Sequence, residues 1–197
     1  QPAAVPERTR EEAVAALLKA QDLRKGADFQ GAAKLLSQLV LVSPDDPRVL
    51  GEYAKTLVGL GRADDALAFA DRAIELEPSE WSFYSARGVA LDQKGDYRAA
   101  QLAYDRALAL KPGEPTVLSN AALSHMQAGD LAGAESLLLQ AMAAGGENPR
   151  IASNLALVRK LRGTQTASAA KPANTSTPAS ASAAAAGPRA APPPAPT

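Results

Sequence analysis

The stretch 81–114, WSFYSARGVALDQKGDYRAAQLAYDRALALKPGE, reads as two helices joined at a glycine and ended by a proline. Small and apolar residues recur at spacings of three and four, with Tyr84, Gly88 and Leu91 before the joint and Ala100, Tyr104 and Ala107 after it. That is the period of a helix with one buried face. Gly95 can take the left-handed conformation that closes a helix, and Pro112 cannot continue one. The same marks recur on either side. Pro44, Pro78 and Pro112 stand 34 residues apart. Gly61, Gly95 and Gly129 keep that interval, with Ala27 in the first place of their series, as do Ala32, Ala66, Ala100 and Ala134. A fixed period of this length marks stacked supersecondary units. Here each unit is a helix pair, over 13–46, 47–80, 81–114 and 115–148, and 149–162 forms a lone closing helix.

Outside this body, 11–162, lie a Pro-bearing head at 1–10, expected to be flexible, and a tail at 163–197. The tail is almost wholly Ala, Pro, Ser and Thr, with Lys171 and Arg189 its only charges. It has too few large apolar side chains to bury a core and is expected to be disordered or polyproline-like, a spacer. The whole chain has 197 residues, 21 basic and 21 acidic side chains and eight aromatics. Zero net charge and few rings argue against a nucleic-acid binder, which needs a basic footprint and often stacking platforms. With no cysteine there is no disulfide framework and no thiolate metal site. No apolar run approaches the roughly 18 residues a membrane span needs.

The unit 81–114 resembles the tetratricopeptide repeat: Trp81, Tyr84, Gly88, Leu91, Gly95, Tyr97, Ala100, Tyr104, Ala107 and Pro112 fall where that family places its aromatic, small and helix-ending residues. Three neighbours follow in register, the first and last degenerate, with Lys19 and Gly146 at off-pattern positions. The expectation is therefore all-α, an α-solenoid of about four tetratricopeptide repeats with a C-terminal capping helix and a disordered tail. Ala54, Gly88 and Ala122 on first helices, and Ala66, Ala100 and Ala134 on second helices, are expected to let paired helices approach to about 8–10 Å. Leu57, Leu91, Tyr104, Leu108, Leu110, Leu137 and Leu138 are expected to fill one apolar seam, because no single hairpin covers its own hydrophobic face. His125, the only histidine, takes the place of Leu57 and Leu91 and is read as a structural residue facing that seam. The adjacent carboxylates Asp45-Asp46 and Asp64-Asp65 fall at turns and helix starts, where capping explains them. No phosphate loop, dinucleotide motif or nucleophile elbow is present, so neither an enzyme nor a cofactor or metal site is expected.

The resemblance also implies where a partner binds. In this family the second, fifth, ninth, twelfth and thirteenth positions of each first helix line the inner wall of the solenoid. The wall becomes pointed toward the C-terminus, where Val89, Asp92, Ser119, Asn120, Leu123, Met126, Gln127, Arg150, Asn154 and Leu157 form a candidate peptide-binding groove. Aliphatic side chains interleaved with amides suit an extended segment or an amphipathic helix. Asn120 and Asn154 stand 34 residues apart and offer both donor and acceptor, so they either hold a peptide backbone or serve the fold, bonding to neighbouring helices or capping turns. The carboxylate clamp of chaperone-binding tetratricopeptide domains is not matched, since Leu17, Gln21 and Glu52 occupy its positions.

Within the family, the stretches 117–135 and 148–158 resemble TadD, the tetratricopeptide lipoproteins of bacterial tight-adherence (Flp) pilus systems. The resemblance implies a non-catalytic scaffold on the periplasmic side of the outer membrane, held by a lipidated cysteine upstream of Gln1. Its partner would be the secretin or another pilus-assembly component. The alternative is a generic adaptor or targeting module of another envelope or enzyme complex.

Overall fold

The computed structural model describes residues 7–145 and 148–169, with side chains over 11–145 and 148–164. Among the described residues the chain is all-helical: α1 (Glu7–Lys25), α2 (Phe29–Val42), α3 (Pro47–Gly59), α4 (Ala63–Leu76), α5 (Trp81–Gln93), α6 (Tyr97–Leu110), α7 (Pro115–Gln127), α8 (Leu131–Gly145) and α9 (Pro149–Ala169). Each helix packs on the next, and α1, α3, α5, α7 and α9 also touch in succession. The pairs therefore stack in one direction as an α-solenoid, because each hairpin needs its neighbour to cover its apolar face.

The joints repeat in detail. Inside each unit the chain passes through a positive φ, +64° at Ala27, +71° at Gly61, +79° at Gly95 and +86° at Gly129. The following amide then bonds the carbonyl five residues back: Asp28 to Leu23 at 2.8 Å, Arg62 to Leu57 at 2.9 Å, Asp96 to Leu91 at 3.0 Å and Asp130 to His125 at 2.9 Å. This is the helix-closing turn that glycine favours, and Ala27 makes it with a Cβ, at about 1 kcal/mol. Asp28, Asp96 and Asp130 cap the helices that follow, accepting from the backbone N–H of Gly31, Ala99 and Gly133. Asp46, Glu80 and Asn148 do the same for first helices, accepting from Arg48, Ser82 and Arg150. The adjacent carboxylates thus take part in helix starts and ion pairs. Asp46 caps α3, Asp45 pairs with Arg72 at 2.7 Å, and Asp64 and Asp65 sit in the first turn of α4.

The core runs through the stack. Ala54, Ala66, Ala100, Ala122 and Ala134 are fully buried, as are Leu57, Tyr104 and Leu138, while Leu108 and Leu137 pack only partly buried against the same clusters. Gly88 shows why small residues matter there: a Cβ on it would lie 2.5 Å from the Tyr104 ring. Tyr84 is half-buried, its hydroxyl donating to the Pro78 carbonyl at 3.1 Å, with the Arg106 guanidinium 5.8 Å from its ring centroid.

Three expectations need correction. His125 does not face the seam as Leu57 and Leu91 do. It lies in the last turn of α7, its side chain 26 % exposed, with Nδ1 2.8 Å from the Asp130 carboxylate. A polar ring near a helix end gains a capping aspartate as partner instead of being stripped of water. At the C-terminus, α9 runs through Gly163 to Ala169, seven residues past the expected break. Extending a packed helix needs no new nucleus, and no proline follows until Pro172. At the N-terminus, α1 begins at Glu7 within the expected flexible head, because residues from Glu7 to Glu12 include no glycine or proline to break it. The remainder of the head and tail lies outside the described residues.

Candidate peptide-binding groove

The 34-residue period sets the groove before any side chain is placed. It repeats the orientation of each first helix, so residues one period apart form rows across α5, α7 and α9. One cavity of about 420 Å³ is lined by Arg24 of α1, Lys55 and Val58 of α3, Trp81, Ser85 and Val89 of α5, and Thr116 and Asn120 of α7. A single hollow bounded by four first helices makes their shared wall concave. It continues into a chamber of about 250 Å³ that gathers Val89, Asp92, Asn120, Leu123, Gln127 and Arg150. A tighter one of about 120 Å³ joins Ser119, Asn120, Leu123, Arg150 and Asn154. Eight of the ten candidate residues therefore meet along one channel.

The other two do not. Met126 packs against the buried cluster shared by α7, α8 and α9, because its position faces the next hairpin instead of the channel. Leu157 lies beyond both chambers on α9, 45 % exposed, where among the described residues no further first helix stands to close a wall around it.

The two halves of the groove differ in their polar chemistry. In the N-terminal half Glu52 is almost completely buried, bonded by the Arg24 guanidinium and 4.0 Å from the Lys55 ammonium. Lys55 also donates to Ser82 Oγ at 2.9 Å. Burial holds the Lys55 ammonium below the usual lysine range, and the Glu52 carboxylate opposes that shift. In the C-terminal half the fully buried Tyr104 donates to Asp92 Oδ2 at 2.7 Å. Burial pushes the Asp92 carboxyl up, and it also drives the Tyr104 hydroxyl well above its ordinary value, with Asp92 adding to that. Asp92 Oδ1 and Ser119 Oγ are buried with no hydrogen-bond partner among the described residues. Nor do the amides of Asn120 and Asn154 bond a neighbour there. Of the two roles open to these asparagines, the structure thus shows no bond to adjacent helices.

The ion-pair cluster was not singled out from the sequence, although Arg24 and Lys55 fall on inner-wall positions. The available signal was a carboxylate, Glu52, one helical turn from Lys55 and flanked by Gly51 and Tyr53 on a largely apolar stretch of α3. In the sequence Trp81 marks the repeat and nothing more, yet its half-buried ring lines the largest of these cavities, with the Lys111 ammonium 4.5 Å from its centroid.

A chain of stacked helix pairs with a concave wall of first-helix residues is a solenoid scaffold. The chain belongs to the tetratricopeptide repeat family, whose model matches residues 23–85 and 93–160. It is 34 % identical over 76 residues to the Protein SGT1 homolog of Oryza sativa subsp. japonica, a match spanning 39 % of this chain and 21 % of that protein's length. Among solved structures it is similar to TTC0263, a tetratricopeptide protein of Thermus thermophilus, with TM-score 0.70 and 22 % identity over 83 % of this chain and 93 % of the other. Pseudomonas aeruginosa pilF gives TM-score 0.67 and 18 % identity over 82 % and 74 %. The first tetratricopeptide domain of Spaghetti (RPAP3), solved with an HSP90 peptide, gives 0.56 and 15 % over 59 % and 93 %. At these identities the structural likenesses speak for the fold.

Proposed function

We propose that this chain is a non-catalytic scaffold of the TadD kind, which holds an extended or amphipathic segment of a pilus-assembly component and helps the outer-membrane secretin to assemble. On this reading it works on the periplasmic side of the outer membrane, through a lipid anchor upstream of Gln1. The observation that carries the binding role is the channel in which Val89 and Leu123 lie beside the unbonded amide of Asn120, with that of Asn154 in the adjoining chamber. The Spaghetti domain, bound to a peptide, supports peptide binding by this fold. The pilus role rests on the resemblance of 117–135 and 148–158 to TadD.

The test is secretin binding to wild-type and variant protein, each checked for an unchanged helical spectrum. Leu123→Asp should abolish binding by burying an unpaired charge, and Asn120→Ala should weaken it by about 1–3 kcal/mol if the amide holds backbone. Raising salt from about 50 to 300 mM should change affinity little, because apolar contacts are not screened. A secretin that binds the folded Leu123→Asp protein as well as wild type sinks the groove as its docking surface.

A further inference from the structure

The rows in the C-terminal half restrict the shape of the ligand. Val89 and Leu123 form an aliphatic row on α5 and α7, 34 residues apart, which Leu157 continues one period on, exposed on α9 beyond the chambers, and Asn120 and Asn154 form an amide row beside it. Val89, Leu123 and Asn120 share one chamber, and Leu123, Asn120 and Asn154 share the next. Packed helices stand about 8–10 Å apart, so a ligand lying along the groove must present one apolar side chain at each step of that size.

Few backbone conformations do this while leaving their own polar groups free. A β-strand returns to the same face after two residues, at about 6.8 Å, and its residue three places on, at about 10 Å, points to the opposite face. An α-helix returns after seven residues, at about 10.5 Å, but its backbone groups are already bonded to one another, so the asparagine amides would find nothing to read. The polyproline II helix has three residues per turn at about 3.1 Å each. Its side chains therefore repeat on one face every 9–10 Å or so, and with no internal hydrogen bonds its carbonyls remain free to accept from asparagine. Trp81 adds an aromatic wall to the cavity that also holds Val89 and Asn120, the kind of surface on which proline-rich segments pack.

We propose that the groove from α5 to α9 takes a partner segment in the polyproline II conformation that places an apolar residue at every third position. This rests on the concave groove being the binding face, and the experiment separates the two claims. Fluorescence anisotropy with the full chain would compare a nine-residue peptide of three Leu-Pro-Pro repeats with proline peptides carrying leucine at every second or every fourth position. A heptad-leucine helical peptide completes the set. The three-residue repeat should bind at least about tenfold tighter than the other proline peptides. Leu123→Asp should erase that preference, while Leu102→Asp, on an exposed position of α6, should leave it intact. Equal affinity for all the proline spacings, or no binding of the three-residue repeat, overturns the inference. Preferred binding of the helical peptide that still depends on Leu123 overturns the ligand's shape but keeps the groove. Binding of any of these peptides unaffected by Leu123→Asp overturns the groove as well. Displacement of the Leu-Pro-Pro peptide by one copying residues 187–197 would make the chain's own C-terminal segment the occupant and overturn the separate partner.

Discussion

The N-terminal and C-terminal halves of the groove are built from the same helix pair, yet they treat polar groups in opposite ways. Between α1 and α3 the wall is closed on itself: Arg24 and Lys55 are engaged with buried Glu52, and Lys55 also with Ser82. From α5 to α9 the wall offers aliphatic side chains, the unbonded amides of Asn120 and Asn154, and Asp92 Oδ1 and Ser119 Oγ without a partner among the described residues. A buried charge network strengthens position and shape, because breaking it leaves an uncompensated charge. Unbonded amides beside aliphatic residues instead leave hydrogen-bonding capacity for a ligand. The repeat thus supplies one scaffold, and a few wall positions divide it into a stiffening half and a receptive half.

The strongest way to break this comparison is to remove the anchor of the receptive half. Tyr104→Ala should destabilise by about 3–5 kcal/mol, since it empties a fully buried site and takes the donor from Asp92. Solenoid contacts run only between neighbours, so hydrogen exchange should rise first in α5 to α7 while α1 to α4 stay protected. Uniform loss of protection would show that the halves are one cooperative unit.

Glu52→Gln probes the stiffening half. It leaves Arg24 and Lys55 facing each other without their carboxylate, and because both are partly exposed the loss should be roughly 1–3 kcal/mol by denaturant unfolding. If the halves are as separate as their chemistry, binding at Leu123 should change little. A parallel fall in ligand affinity would couple them.

Ala27→Gly should go the other way. It relieves the left-handed alanine in the only one of these four joints without glycine, raising stability by about 0.5–1 kcal/mol less the added freedom of the unfolded chain. A lower melting temperature would show that the turn is held by its α1–α2 contacts at no strain.

The smallest effect is expected at Asp92. Its folded-state pKa is raised, so the native chain holds this proton more tightly than the unfolded chain does. Its contribution is therefore greatest below the unfolded carboxylate pKa of about 3.9 and is lost as pH rises through the higher folded value. Asp92→Asn should remove that fall, so the difference in melting temperature between variant and wild type should shift in the variant's favour from about pH 4 upward. A constant difference across that window would mean the carboxyl titrates alike in both states. The carboxylates held low by their partners, Asp46, Glu114, Asp130 and Glu135, drive the opposite trend in both proteins and cancel in the comparison.

The period at Pro44, Pro78 and Pro112 was enough to determine the helix pairs, their joints and the order of the stack, because each mark acts within its own turn of chain. Gly95 closes its helix, and Asp96 caps the next, whatever lies around them. The inner wall was legible through the resemblance to the tetratricopeptide repeat, which says which first-helix face is concave, and the fixed period then carries that orientation from unit to unit, as at Val89 and Leu123. Contacts between units were decided only by the tertiary structure. Met126 turned into the next hairpin, His125 found Asp130 across a turn, and Glu52 became the buried partner of Arg24, 28 residues away. None of these follows from spacing along one helix. The reason is physical: a turn or cap is governed by the few residues that form it, whereas the fate of a polar side chain at a helix face depends on which group from the neighbouring unit reaches it first as water is excluded.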